Sequence, residues 1–331
     1  MKSYIETLLL ARRWIAALVM APLLLALPAR AEITLGVNDW VGYVAWYVAQ
    51  EKGFFKKHGA DVKLVWCDGV VDSLDKFAAG KLDANAQPWT DTLVHIAQKV
   101  PLKVLMVNLH SAGADALMVS PKIQKLADLK GKKIALEEVA IMQFMLETAL
   151  TKAGLSNKDV QIMYMPAGDA AKALMDGKVD AAALWNPLVN DIQVSGKGRP
   201  LFSSKDVPGM MSDVLVATEK SLAAKRAEYL GLVRAWYDVE KFLRDNRDEA
   251  INIMAKVVKQ DPKKYRIFLG GASFWSEKDN LSYFVGTSDA RSVSTVSVQL
   301  IKFLKEKKLI ASDISIAAAI DKSLVQEIAK R

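Results

Sequence analysis

Ala79-Gly80-Lys81-Leu82-Asp83-Ala84 and Asp176-Gly177-Lys178-Val179-Asp180-Ala181 spell the same local structure twice. Each follows a helix-like stretch, stops it at a glycine suited to a left-handed cap, and starts an apolar strand. Working outward, residues 33–86 and 133–184 each read as strand–helix–strand–helix–strand. Strands are expected at 32–37, 61–66, 82–86, 103–109, 116–119, 132–136, 160–165 and 179–184. Helices are expected at 44–51, 72–79, 141–153 and 170–175. Beyond 214 the periodicity is chiefly helical, at 220–246, 249–259 and 290–307. The pattern predicts an α/β protein with two open lobes of similar design, each with mostly parallel strands.

Ligands of open α/β sheets sit outside the carboxyl ends of the strands. The loops to watch are therefore 39–43, 87–91, 110–112, 137–140, 185–187 and 212–213. They hold Asp39, Trp40 and Tyr43; Trp89, Thr90 and Asp91; His110; Glu137 and Glu138; Trp185 and Asn186; and Asp213. Two lobes facing each other across these loops make a cleft that can close on a solute.

Export is written into the start of the chain. Lys2, Arg12 and Arg13 precede an apolar stretch at 14–27, and Pro28-Ala29-Arg30-Ala31 follows with small residues at the −3 and −1 positions. This is the form of a cleaved secretory signal over residues 1–31, cut before Glu32. The stretch is shorter than the roughly 20 residues a membrane span needs, and Pro22 interrupts it. No cysteine stands at the cut for a lipid anchor, so a free periplasmic product is expected. The residues after Arg12-Arg13 fit general secretion better than twin-arginine export. Removing the segment takes away four basic residues and one acidic, lowering the formal charge from +8 to +5. The remaining charges are dispersed, without the basic runs of a nucleic-acid binder. The single cysteine, Cys67, cannot form an internal disulfide, so the core must hold the fold, and 51% hydrophobic residues provide it.

Several stretches carry a family likeness when taken in order. They are Ala49-Gln50-Glu51-Lys52-Gly53-Phe54-Phe55, the segment 74–83, Asp128-Leu129-Lys130-Gly131-Lys132-Lys133-Ile134-Ala135, Trp185-Asn186-Pro187 and Ile301-Lys302-Phe303-Leu304. The chain resembles, nearly end to end, the substrate-binding proteins of nitrate/taurine-type ABC importers, kin of the NMT1/THI5-like thiamine-precursor binders. The resemblance implies a periplasmic-binding-protein fold of type II. Its lobe I would be 32–114 with 215–331 and its lobe II 115–214, joined by a two-stranded hinge near 113–118 and 212–217. It also implies a permease and an ATPase as partners; a monomer is expected because a clamshell must open freely.

Members that bind sulfonate or nitrate commonly place Ser or Thr where the second lobe's first strand enters its helix. Here that turn reads Glu137-Glu138-Val139-Ala140-Ile141-Met142, with two carboxylates and no hydroxyl. Aromatic faces beside carboxylates suit a small organic, nitrogen-rich cation. The expected site is Asp39, Trp40, Tyr43, Trp89, Thr90, Asp91, His110, Glu138, Trp185, Asn186 and Asp213, with Glu138 and Asp39 or Asp91 as counter-charges. Alternatives remain: a pyrimidine thiamine precursor, or an aliphatic sulfonate, taurine or nitrate. Glu137 and Glu138 could instead serve the following helix dipole, Asp213 could only fix the hinge, and Trp46 and Cys67 are expected in the core. An enzyme is disfavoured: one cysteine and three scattered histidines, His58, His95 and His110, give no metal-ligand spacing, and no cofactor motif is found. A signalling ectodomain would need a separate receptor chain.

Overall fold

A computed structural model describes residues 32–285 and 293–330; the expected export segment, 1–31, lies outside them. The duplicated sequence is a duplicated structure. In the first sheet β1 (Ile33–Val37) pairs in parallel with β2 (Val62–Trp66) and β3 (Ala84–Pro88). In the second, β6 (Lys133–Leu136) pairs in parallel with β7 (Gln161–Tyr164) and β8 (Ala181–Trp185).

The matching Gly and Asp do matching work. Gly80 and Gly177 take φ of 68° and 72°, a left-handed backbone that a side chain strains. The Asp83 carboxylate accepts the Thr34 N–H at 3.0 Å, and the Asp180 carboxylate accepts the Lys133 N–H at 3.0 Å. The backbone N–H of each aspartate returns a bond to the carbonyl of the same partner. In both lobes, then, one aspartate locks the start of the third strand to the first and fixes the register.

The chain adds antiparallel strands to each parallel trio. β4 (Leu102–Ser111), β10 (Ser212–Thr218) and β11 (Ala272–Phe274) complete the first sheet in the order β11-β4-β10-β3-β1-β2. β5 (Asp115–Val119) and β9 (Arg199–Ser203) complete the second in the order β7-β6-β8-β5-β9. The expectation of mostly parallel strands is therefore too strong, since two pairings in each sheet are parallel and the rest antiparallel. Central strands such as β8, read AAALW, are buried along their whole length, while the edge strands β2 and β7 expose Trp66 and Tyr164. Helices that the sequence did not announce include Trp89–Ala97, Leu188–Val194, Pro262–Phe268, Glu277–Val285 and Ser323–Ala329. The long helical stretch expected at 220–246 divides at Lys225 into Glu219–Ala224 and Arg226–Asp245. Trp46 is wholly buried, 4.6 Å from the ring of Trp236. Contacts of this kind are worth about 0.5–1.5 kcal/mol beyond area burial.

The chain crosses between the sheets twice, as the expected two-stranded hinge requires, but not at 113–118 and 212–217. β5 lies in the second sheet and β10 wholly in the first, so the crossings are residues 112–114 and 204–211. Ser204 ties them together: its hydroxyl meets Ser111 Oγ at 2.8 Å and accepts the Gly113 N–H at 2.6 Å. Gly271 packs on the same crossing and accepts the Ala112 N–H at 2.7 Å. A Cβ there would stand 2.4 Å from the Ala114 nitrogen and 2.7 Å from the Gly113 carbonyl carbon, both backbone. Gly271→Ala is expected to destabilise the fold by about 1–3 kcal/mol, the usual range for overpacking. Chemical denaturation would measure it; an unchanged midpoint would mean the crossing yields easily.

Candidate functional site

Between the facing strand ends of the two sheets lies a cavity of about 340 Å³, counting its open mouth. Trp40, Tyr43, Pro88, Ser111 and Asp213 line it from the first sheet's side. Asp115, Ile141, Met142 and Trp185 line it from the second, with Val70 and Met211 at the margins. Two wider recesses flank it. One is bordered by Asp39, Cys67, Gly69, Glu137 and Trp185, the other by Asp91, His95, Glu138 and Ala140.

Asp213 organises the centre. It is the second residue of β10, held against Pro88 of β3 by antiparallel pairing, and this points its carboxylate towards the loop after β1. There it accepts Trp40 Nε1–H at 2.8 Å and the Tyr43 hydroxyl at 2.7 Å. Both donors are neutral, and burial pushes the Asp213 carboxyl up to about 6. Gly42 permits this loop, because a Cβ there would meet Leu109 Cδ2 and Trp40 Nε1 at 2.0 and 2.8 Å.

Three further carboxylates converge on the cleft. Asp115, at the head of β5, is pushed up to about 7 by burial, with Asp213 adding repulsion and the Ser111 hydroxyl opposing it. Asp91 is pushed up to about 6 by burial although the Ala140 and Ile141 N–H groups stabilise its charge. Glu137 is pushed up to about 7, again chiefly by burial, with Asp39 and Asp91 repelling it. Yet the buried charged residues described include no lysine or arginine. A buried charge is ordinarily paired or neutralised. This cleft therefore has a deficit of positive charge.

Of the residues singled out from sequence, Trp40, Tyr43, Trp185 and Asp213 meet at the central cavity, and Asp39 and Asp91 border the recesses. Others do not join them. Trp89 turns away: its Nε1–H donates to Ser297 at 3.1 Å, within the helix Val293–Glu306. Thr90 is fully buried beside it and lines none of the three spaces; its hydroxyl has no hydrogen-bond partner among the described residues. His110 contacts Ser212 Oγ at 2.7 Å and stands edge-on to Trp275 at 4.3 Å, so it serves packing within the first lobe. Asn186 donates to the Phe268 carbonyl at 3.1 Å, ahead of a cis peptide bond to Pro187. Glu138 is exposed at the rim of an outer recess; the glutamate turned inward is Glu137, because β6 delivers Glu137 against the helix Gly69–Ala78. Asp115 was missed, and Ser111 lay in the watched loop 110–112 without being singled out. The signal for Asp115 was a lone carboxylate opening an otherwise apolar, fully buried strand. Among the described residues no three His, Cys, Asp or Glu side chains gather as a metal site requires.

Residues 40–250 match the family described as NMT1/THI5-like. The chain belongs to that family. It is accordingly a substrate-binding protein of the nitrate/taurine type that serves ABC importers. A Brucella abortus (strain 2308) protein named as a binding protein is 28% identical over 239 residues, 67% of this chain and 72% of its own. An Escherichia coli (strain K12) protein named for binding aliphatic sulfonates is 25% identical over 222 residues, 66% of this chain and 69% of its own. In three dimensions the chain is similar to the alkanesulfonate-binding protein SsuA of Xanthomonas axonopodis pv. citri, solved with MOPS bound. The TM-score is 0.76 at 19% identity, over 88% of this chain and 99% of that one. At that identity the likeness speaks for the fold, a type II periplasmic-binding-protein architecture, and leaves the ligand to the residues of the cleft.

Proposed function

We propose that this family member captures a small organic cation, rich in nitrogen, in the periplasm and hands it to an ABC permease and its ATPase. The observation that carries this reading is the set of buried carboxylates, Asp91, Asp115, Glu137 and Asp213, without a buried lysine or arginine among the described residues. An anion entering the cavity would meet Asp213 and Asp115 with nothing to offset them. A cation would instead pair with both, beside the rings of Trp40, Tyr43 and Trp185. Each cation–π contact adds about 0.5–2 kcal/mol in a desolvated site.

A second reading, a neutral nitrogen heterocycle such as a pyrimidine, is favoured by one observation. The buried Trp185 Nε1–H has no acceptor among the described residues, and a ring nitrogen or carbonyl would supply one. Neither reading uses chemistry at the site.

The test is thermal unfolding of ligand-stripped protein against guanidinium, methylated amines and polyamines, then pyrimidines, then alkanesulfonates, taurine and nitrate. A hundredfold excess over the dissociation constant raises stability by about 2.7 kcal/mol, so a true ligand stands out. Stabilisation by millimolar cations is expected. Stabilisation by sulfonate or nitrate alone would reverse the assignment.

A further inference from the structure

The helix Ala140–Lys152 begins at Val139, whose side chain does not cap it, yet its first N–H groups are satisfied. The partner comes from the other lobe. Asp91, in the first turn of the helix Trp89–Ala97, accepts the Ala140 N–H at 2.7 Å and the Ile141 N–H at 3.2 Å. The exchange is reciprocal. The side chain of Asp68 likewise does not cap the helix Gly69–Ala78, whose own Asp72 accepts the Asp68 N–H, and its Val71 N–H points to Glu137 Oε1 of the second lobe at 3.5 Å. Gly69 allows the approach, since a Cβ there would lie 3.3 Å from that oxygen and its φ is +88°.

A helix N-terminus carries free N–H groups and a partial positive charge, and it attracts anions. The first turn of Ala140–Lys152 borders the central cavity through Ile141 and Met142. This is where an anionic solute would gain most, and a side chain of the protein already fills the position. We propose that Asp91 is a specificity-determining residue, a resident anion that occupies the opposite lobe's helix N-terminus when the lobes meet and denies it to an anionic solute. Glu137 performs the same exchange in the other direction, through a longer contact. The inference rests on the reading that the cleft takes a solute that is not an anion, and it names the residue that enforces this.

Ethanesulfonate and sulfate serve as anion probes, titrated calorimetrically into the wild-type chain, Asp91→Ala and Asp91→Asn. Asp91→Ala exposes the Ala140 and Ile141 N–H groups, and its affinity for ethanesulfonate is expected to exceed that of the wild type at least tenfold. A folded Asp91→Ala protein no better than the wild type would overturn the proposal. Should that variant fail to fold, Asp91→Asn decides: it keeps the shape, removes the charge, and is expected to gain at least threefold. No gain in the amide variant would overturn the proposal equally. A merely structural role for Asp91 would weaken every ligand and could not raise affinity for one class. Guanidinium titrated into the wild type reports separately on the cation reading, so loss of either conclusion can be told from loss of the other.

Discussion

Asp213→Asn is expected to weaken binding of a guanidinium-type cation by about 30-fold or more, while leaving the ligand-free fold about as stable as before. Removing one partner of a buried, hydrogen-bonded charge pair costs about 2–5 kcal/mol of affinity. Asp213 would be such a partner, because it is buried and its hydrogen-bond donors, Trp40 and Tyr43, are neutral. Without ligand its charge is a burden, as the carboxyl's rise to about 6 through burial shows. Asparagine keeps the acceptor for Tyr43 and removes that burden, although its NH₂ group opposes the Trp40 donor. Asp115→Asn should behave in the same sense, with a net gain in ligand-free stability, since its carboxyl is pushed higher, to about 7, by burial. Calorimetric titration and thermal unfolding, both at pH 7.5, separate the two effects. Loss of binding together with loss of folding would make Asp213 a structural residue; unchanged affinity would remove it from the site.

Much of this site was legible because the fold itself was. Gly80 with Asp83, and Gly177 with Asp180, betray the duplicated strand–helix unit, and that unit says which loops face the cleft. Trp40 and Tyr43 were singled out by that logic, and Asp213 by its place beside the expected hinge; all three line the central cavity. What sequence could not supply was the phase of residues whose direction is set by distant partners. Alternation promised that one of Glu137 and Glu138 turns inward, but β6 is buried on both faces over Ile134–Leu136, and parity is lost in such a strand. Trp89 follows Pro88 and opens a helix, so helical phase carries it towards Ser297, far along the chain. Asp115 was absorbed into an expected hinge. The true crossing ends at Ala114, which leaves Asp115 as the first residue of the second sheet, lining the central cavity.

Ligand-free protein is expected to lose stability as pH rises from about 5 to 8, while affinity for a cation rises over the same interval. The sign follows from the carboxyls of the cleft. Asp91 and Asp213 stand at about 6, and Asp115 and Glu137 at about 7, all raised by burial above ordinary carboxylates. Between the unfolded value near 4 and these folded values, the native state holds more protons than the unfolded chain. Stability from these groups is therefore complete below about pH 4 and is lost as pH climbs through 6 and 7, at about 1.4 kcal/mol for each unit of displacement. Buried His95 acts oppositely, because burial lowers its pKa and the unfolded chain takes up its proton first as pH falls below about 6.5. One histidine offsets only part of four carboxyls. Asp83 and Asp238, whose carboxyls are lowered, lose their contribution below about pH 4, outside the window. A bound cation would favour the ionised carboxylates, so binding near pH 6.5 should release protons, and the heat of binding should change with the buffer's ionisation enthalpy. Melting temperature recorded from pH 5 to 8, with titrations in two buffers at pH 6.5, measures both halves. A melting temperature that climbs steadily to pH 8, with no proton released on binding, would mean that these carboxylates stay charged without the solute.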